Sequence, residues 1–436
     1  MGGGDRQPLS RSDRLIEDAL LEASRPGAAA DRVLKATLRS HSELVRAERA
    51  RVAVGVHGVR CFAGRLAHLL TAVGLPHTPR ALWAAYRVDV LGEEPSDVAA
   101  ALELPGAVAG LRRIAAGLVP WPEDPDLALA ARRSIPAWVA RRWRMAYGAD
   151  EADALAEALN RPGPVFLRAR GDREALAARL AAEGARTAPG ALAPRALRLL
   201  DPFDIRGSAA WREGAFEVQD EGSQLVAEAV RAAPGDRVLD LCAGSGGKTL
   251  ALAAQLDGRG RVIAADVDPA RLADLRGRVR QRKLTCVEVQ PLPPDFPAAP
   301  VALPEAGRIL VDAPCSSLGT WRRGPDRRWR TSPGEVEALA RLQVALLGAA
   351  AERLPPGGRL VYATCTLLEA ENQAVVRAVL AAHPELTPTP CLPHLPAFGP
   401  TPEVELFPHR HGTDGFYIFA MSRPGGAGSA RARSAG

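Results

Sequence analysis

Lysine is nearly absent from this chain: Lys35, Lys248 and Lys283 are the only three among 436 residues. The basic side of the charge balance is therefore arginine, and a formal net charge of +6 leans toward an anionic partner. That lean is modest, because an alanine-, arginine- and proline-rich bias can come from genome composition alone. Arginine is nevertheless the better residue for bidentate contact with phosphate. Long apolar runs are missing as well. No stretch approaches the ~18 residues that a membrane span requires, and no charged-then-apolar leader opens the chain. The expectation is a cytoplasmic protein without a membrane partner. The six cysteines (Cys61, Cys242, Cys286, Cys315, Cys365, Cys391) have neither metal-ligand nor paired spacing. They read as reduced thiols, with no metal site. Two nucleotide signatures are also lacking. Gly244 and Gly247 are too close for a phosphate loop of the Gly-x-x-x-x-Gly-Lys-Ser/Thr type, and no full Gly-x-Gly-x-x-Gly follows a strand.

What is present falls into three parts. From Ser12 to about residue 120, apolar residues recur near the 3.6 period (Leu15, Ala19, Ala23; then Val33, Leu34, Leu38, Leu44), punctuated by Pro26-Gly27, Gly74 with Pro76, and Gly92 to Pro95. This predicts an all-helical domain over 12–120 with five or six helices, one of them beginning at a Ser96-Asp97 cap. Pro120–Pro125 reads as a linker. The second part, 130–230, opens with a helix over Ser134–Tyr147, capped by Ser134 and carrying Trp138, Arg142, Trp143 and Tyr147. Strands at Pro164–Arg170, Leu197–Leu200 and Ala215–Gln219 with a helix at 172–184 then predict a small α+β module suited to RNA docking.

From residue 231 to 422 strands alternate with helices. Strands are predicted at Arg237–Leu241, Arg261–Ala265, Thr285–Val289, Arg308–Val311, Arg359–Ala363 and Phe416–Ala420. The order βαβα gives an α/β domain with a mostly parallel, doubly wound sheet. Residues 423–436, rich in Gly, Arg and Ser, read as a disordered tail, as do Met1–Gln7.

The chemistry collects at predicted strand ends, where ligands of open α/β sheets bind. The first strand runs into Cys242-Ala-Gly-Ser-Gly-Gly-Lys248, and the second ends on Asp266. A glycine-rich turn followed about twenty residues on by a carboxylate suits an adenosine-containing cofactor. The fourth strand ends in Asp312-Ala-Pro-Cys315, in which Pro314 fixes the separation of acid and thiol. The fifth delivers Cys365. Two thiols beside a cofactor loop suit attack on an electron-poor carbon, such as position 6 of a pyrimidine, which makes carbon 5 nucleophilic enough to take a methyl group. After Cys315, Arg322, Arg323, Arg327, Arg328 and Arg330 interleave with Trp321 and Trp329, a pattern that predicts a phosphate-contacting, base-stacking loop.

The stretches Val218–Gln224, Val238–Thr249, Asp266–Pro269, Asp312–Trp329, Tyr362–Thr366 and His409–Phe416 closely resemble motifs of the Sun/Fmu-type RNA (cytosine-5) methyltransferases. The helical first third looks like the NusB-type domain carried by the bacterial ribosomal small-subunit members. The resemblance implies a Rossmann-like S-adenosylmethionine-dependent fold acting on RNA, most like the 16S ribosomal enzymes, and the expectation is a monomer. It implies Cys365 as the nucleophile on cytosine and Cys315 as the group that assists release. Asp312 would contact the base and the reactive end of the cofactor. Cys242, Ala243, Gly244, Ser245, Gly246, Gly247 and Lys248 would wrap the methionine part, and Asp266 would hold the ribose.

Two positions depart from the family pattern. Gly244-Ser245 replaces Ala-Pro, and Pro291 stands where a Gly-Asp normally contacts the adenine. Asp295 substitutes, backbone groups do, or cofactor affinity is reduced. The missing acid motivates a second reading, a catalytically weak RNA-binding assembly factor of the same fold. A DNA cytosine methyltransferase is a third, distinguished by attacking with the cysteine of the Pro-Cys element.

Overall fold

The computed structural model describes residues 9–25, 27–298 and 301–425, which fall into two compact units. The expected disordered ends lie largely outside these residues. Arg423, placed in the tail by its composition, is instead tied down: its guanidinium donates to the Ala351 carbonyl at 3.0 Å and to Glu385 at 2.9 Å. Among the described residues no helix is long and apolar enough to cross a membrane.

One unit comprises residues up to Pro162 together with Trp321–Thr331. Its helices are Arg11–Ala23, Ala30–Ser40, Arg46–Cys61, Ala63–Ala72, Pro79–Asp89, Pro95–Ala101, Val108–Ala115, Pro125–Arg133, Ala137–Tyr147 and Ala149–Ala158. Apolar residues at helical spacing (Ile16, Val52, Val56, Leu66, Leu70, Trp83, Val98 and Leu111) meet in one core. Several boundaries differ from those expected. Ser96 and Asp97 lie inside a helix that starts at Pro95, because proline suits the first helical position. Pro125 likewise opens a helix rather than closing a linker. Ser134 does not cap the next helix. It ends the preceding one in a left-handed conformation (φ 56°), and its hydroxyl accepts from the Gly64 amide.

The arginine-tryptophan segment is also reassigned. Trp321 and Arg328 are fully buried, and Trp143 packs its ring 5.8 Å from that of Trp321. The Arg328 guanidinium donates to the carbonyls of Cys61 (3.1 Å), Ser134 (3.0 Å) and Leu159 (3.2 Å) and to Asn160 Oδ1. Trp329 donates to the Arg60 carbonyl and sits over Gly64, while Asp326 pairs with Arg60. A strap of side chains that satisfies buried carbonyls is a structural element. The base-stacking role expected for Trp321 does not fit its burial, and Trp329, half-buried, is engaged with Arg60 and Gly64.

The other unit holds two sheets. In the smaller, β1 (Phe166–Ala169), β2 (Thr187–Pro189), β3 (Ala196–Leu199) and β4 (Phe216–Val218) run antiparallel in the order β2-β3-β1-β4, with helix Arg173–Ala182 against them. The larger contains β5 (Arg237–Leu241), β6 (Arg261–Asp266), β7 (Val287–Pro291), β8 (Arg308–Asp312), β9 (Arg359–Thr364), β10 (Thr387–Pro388), β11 (Glu403–Leu406) and β12 (Phe416–Ser422). Its order is β10-β12-β9-β8-β5-β6-β7, with β11 on β12. Strands β5 to β9 are parallel, and β12 enters antiparallel beside β9. Helices on both faces explain the continuous apolar runs Val238–Leu239 and Ile309–Val311, all fully buried. Strand β7 lies two residues later than expected.

Replacing Arg328 by Met leaves three buried carbonyls and an amide oxygen without their donor, a cost on the order of 3 kcal/mol. The exposed Arg330→Ala should stay within about 0.5 kcal/mol. Chemical denaturation of the two variants checks this. An RNA-binding defect in Arg328→Met at unchanged stability would instead restore the nucleic-acid role of the segment.

Candidate active site

Register places the chemistry at one sheet edge. Leu241 pairs with both Val311 and Ala265, and Asp312 pairs with Ala363. Strand order reverses at β5, whose neighbours β6 and β8 lead away in opposite directions, so a crevice opens beyond its carboxyl end. The turns after β5, β6, β8 and β9 therefore share this edge, and the antiparallel β12 begins there, with Tyr417 opposite Thr364.

The two cysteines meet as expected. Cys315 Sγ lies 3.4 Å from Cys365 Sγ, both as free thiols. The two thiols differ in acidity. The hydrogen bond from Cys315 is the largest influence on Cys365 and holds its pKa below that of an ordinary thiol, against burial. The same bond, with burial, pushes Cys315 well above. These directions make Cys365 the more readily ionised thiol of the pair and Cys315 the one that keeps its proton. Cys365 is also the more accessible of the two.

Asp312 accepts from Lys248 Nζ at 2.6 Å. Burial works against the charge of Lys248, but Asp312 outweighs it and the lysine pKa is raised. The ammonium lies 5.5 Å from the centre of the Phe416 ring. Beneath them Asp240, 1% exposed, accepts from Thr249 Oγ1 at 2.6 Å, while its other oxygen has no partner among the described residues. Burial lifts its pKa to about 7.

The loop 242–248 turns through three left-handed residues, Cys242 (φ 69°), Gly244 (φ 56°) and Gly246 (φ 87°). A Cβ at Gly246 would stand 2.2 Å from Leu275 Cδ1, so glycine is required there for space as well as conformation. Asp266 accepts from the Gly244 amide and the Asp268 amide, both at 2.8 Å, which fixes the loop against the tip of β6. Burial raises the Cys242 thiol well above its usual range, so it stays protonated. A close-approach glycine backbone, a carboxylate at the second strand tip and Asp312 fit an adenosine cofactor carrying an amino-acid tail. At the third strand tip, Pro291 pairs with Asp266. Asp295 is exposed, and its carboxylate has no hydrogen-bond partner among the described residues.

Sequence reasoning missed what holds the thiols. Glu371, fully buried, accepts from the Ser316 amide at 2.9 Å, from the Ser316 hydroxyl and from Gln343 Nε2 at 3.0 Å. Gln343 also donates to the Pro314 carbonyl. Neighbouring Asn372 accepts from Thr364 Oγ1 at 2.6 Å and donates to the Thr366 carbonyl at 3.0 Å. One acid and one amide thus clasp both cysteine loops. A buried polar pair just ahead of the helix Gln373–Ala382 leaves no periodic signal by which it could have been found.

Comparison with known proteins agrees with this geometry. A family model described as 16S rRNA methyltransferase RsmB/F matches residues 227–422, and a ferredoxin-like domain model of the same group matches 135–206. The "Probable ribosomal RNA small subunit methyltransferase B" of Bacillus subtilis is 33% identical over 311 residues, 70% of this chain and 69% of the relative. "Ribosomal RNA small subunit methyltransferase B" of Thermus thermophilus is 34% identical over 67% of this chain and 66% of its own length. A solved methyltransferase homologue from Pyrococcus horikoshii superposes with a TM-score of 0.58 at 26% identity, covering 69% of this chain and 99% of that one.

The thiol pair predicts its own reactivity. Cys365 should be the first cysteine alkylated by iodoacetamide at neutral pH. Cys315→Ala removes the donor, so the midpoint of the pH–rate curve for Cys365 should move upward. Peptide mass spectrometry across a pH series measures both. Alkylation of Cys315 first, or an unmoved midpoint in Cys315→Ala, would overturn the proton assignment.

Proposed function

The chain belongs to the 16S rRNA methyltransferase RsmB/F family, and on that premise we propose that it methylates carbon 5 of a cytosine in ribosomal RNA through a covalent bond to Cys365. It is an RNA methyltransferase whose cofactor is S-adenosylmethionine. The observation that carries the finer reading is the 3.4 Å thiol pair beside the Lys248–Asp312 ion pair.

Each residue then has a defined task. The Cys365 thiolate adds to carbon 6 of the ring, and the electron pair of the broken double bond is left at carbon 5. When bound, S-adenosylmethionine supplies the electrophilic methyl group that carbon 5 takes up. Residues 242–248 hold the methionine part and Asp266 the ribose, with the Gly244 amide already braced against that carboxylate. Asp312 orients the base, and the Lys248 ammonium, paired with it, fixes its direction. Restoring the aromatic ring requires a base to take the carbon-5 proton, the C–H electron pair re-forming the 5,6 double bond as the carbon 6–sulfur bond breaks and Cys365 leaves as thiolate. Cys315, once its own proton has passed to solvent, is the thiolate within reach to act as that base.

Two variants separate these roles. Cys365→Ala should abolish methyl transfer, by a factor of at least about 10³ for a missing nucleophile. Cys315→Ala should still attack but release poorly, so that RNA stays covalently attached on a denaturing gel. Labelled S-adenosylmethionine with unmodified small-subunit RNA is the assay. Label in cytosine from wild type alone, with an adduct in Cys315→Ala, supports the assignment. Free turnover by Cys315→Ala sinks it. Tight RNA binding by wild type without any transfer would leave the assembly-factor reading, with Pro291 as the first residue to restore to Asp.

A further inference from the structure

A second cavity, of about 210 Å³, opens away from the strand tips, between the small sheet and the helix Gly247–Gln255. Its charged lining is Arg168, Arg170, Arg282 and Lys283 against Glu217 and Asp257. The counter-charge is largely spoken for. Glu217 accepts from Arg282 Nε and from Arg278 Nη2, each at 2.8 Å. Arg282 is held further by the Trp211 carbonyl at 3.3 Å and by its position 5.2 Å from the Trp211 ring centre.

Arg168 is the unusual member. It comes from the central strand β1 of the small sheet and is only 4% exposed. Of its five N–H donors only Nε is used, to Gln219 Oε1 at 2.6 Å. Its two Nη groups have no hydrogen-bond partner among the described residues. Desolvation is the largest influence on its pKa and lowers it to about 10. The two Nη groups are not fully enclosed and line the cavity, so their four donors are open to an acceptor that enters it. Arg170 and Lys283, both exposed, stand at the same cavity as further cations.

We propose that this cavity is a phosphate-oxyanion site, in which Arg168 makes the bidentate contact and Arg170 and Lys283 close over the anion. The planar fork of Arg168 matches two oxygens of a phosphate. The source of the phosphate is a backbone group of the RNA substrate, a step that rests on the methyltransferase reading, whereas the oxyanion site itself does not. The small sheet would thereby fix RNA by its backbone, independently of sequence, while the cleft reads the target base.

The test uses the full chain in two arms. In the first, without RNA or cofactor, thermal melting is compared in sodium phosphate and in sodium chloride at equal ionic strength. Wild type should be stabilised by phosphate. Arg168→Met and the surface variant Arg170→Ala/Lys283→Ala should lose the effect; equal stabilisation of all three overturns the site. The double surface variant keeps the test valid if Arg168→Met does not fold. In the second arm, affinity for small-subunit RNA is measured against salt. The double surface variant should bind about tenfold more weakly, with a salt slope shallower by about 0.7 for each phosphate it no longer neutralises. Its affinity for S-adenosylmethionine should be unchanged. An unaltered slope, even with phosphate stabilisation intact, overturns RNA as the source and leaves free phosphate as the ligand. A wild type that passes both arms yet transfers no methyl group counts against the proposed function and not against the site.

Discussion

The geometry of the candidate active site depends on one buried carboxylate. Glu371 is fully enclosed and its pKa is raised by that burial, so its place in the core is unfavourable in isolation. Donors from Ser316 and Gln343 offset the cost; Ser316 lies on the loop that carries Cys315, and Gln343 is tied to that loop through the Pro314 carbonyl. The Glu371 backbone carbonyl accepts from the Tyr362 hydroxyl at 2.6 Å, on the strand that carries Cys365. The same residue thus clamps two loops that are fifty residues apart in sequence. A thiol–thiol hydrogen bond is weak and its length is sensitive to small shifts. Its geometry survives because a stronger, charge-assisted network sets the positions of both backbones.

Charge at the cleft follows a different rule from charge elsewhere. In a chain with three lysines, one of them stands against Asp312. Arginine would bring a wide, always-protonated fork into a space shared with Phe416, Asp240 and the 242–248 loop. Lysine brings a compact point charge on a flexible stem that fits among them. The arginines serve where planar, multi-donor geometry is needed: Arg328 against four oxygens, Arg359 against the Ala229, Pro390 and Cys391 carbonyls, Arg282 on Glu217. The composition bias toward arginine is therefore used structurally, and little of it can be assigned to RNA by counting charges.

This explains what the sequence could and could not disclose. The parallel strands and the two cysteines were legible because each is a local pattern: an apolar run ending in a turn with Gly or Pro. Strand β7 was misplaced by two residues because it is an edge strand, half exposed, without such a run. Glu371 and Asn372 were missed because their meaning lies in contacts with the loops after β8 and β9, and alone they look like a polar helix start. Trp321, Arg328 and Trp329 pointed toward RNA because residue types that stack and bind phosphate are the same types that fill a core and cap carbonyls. Which use applies depends on the direction each side chain faces, and composition carries no information on direction.

Direction also relates the small sheet to the cofactor loop. Gln219 follows β4 directly, and its carboxamide is used at both ends. The oxygen accepts from Arg168, and the nitrogen donates to Ser223 Oγ at 3.1 Å and makes a longer contact of 3.4 Å with the Gly247 carbonyl. Gln219 is itself buried, and its backbone carbonyl accepts from Gln224. A side chain so placed cannot turn its amide over without losing a charged donor on one side and two acceptors on the other. The strand that carries the buried guanidinium and the 242–248 loop are therefore held at a fixed spacing. An RNA backbone gripped at Arg168 would meet the cofactor edge at a set distance, so that docking and base positioning are solved by one rigid body and not by two independent contacts.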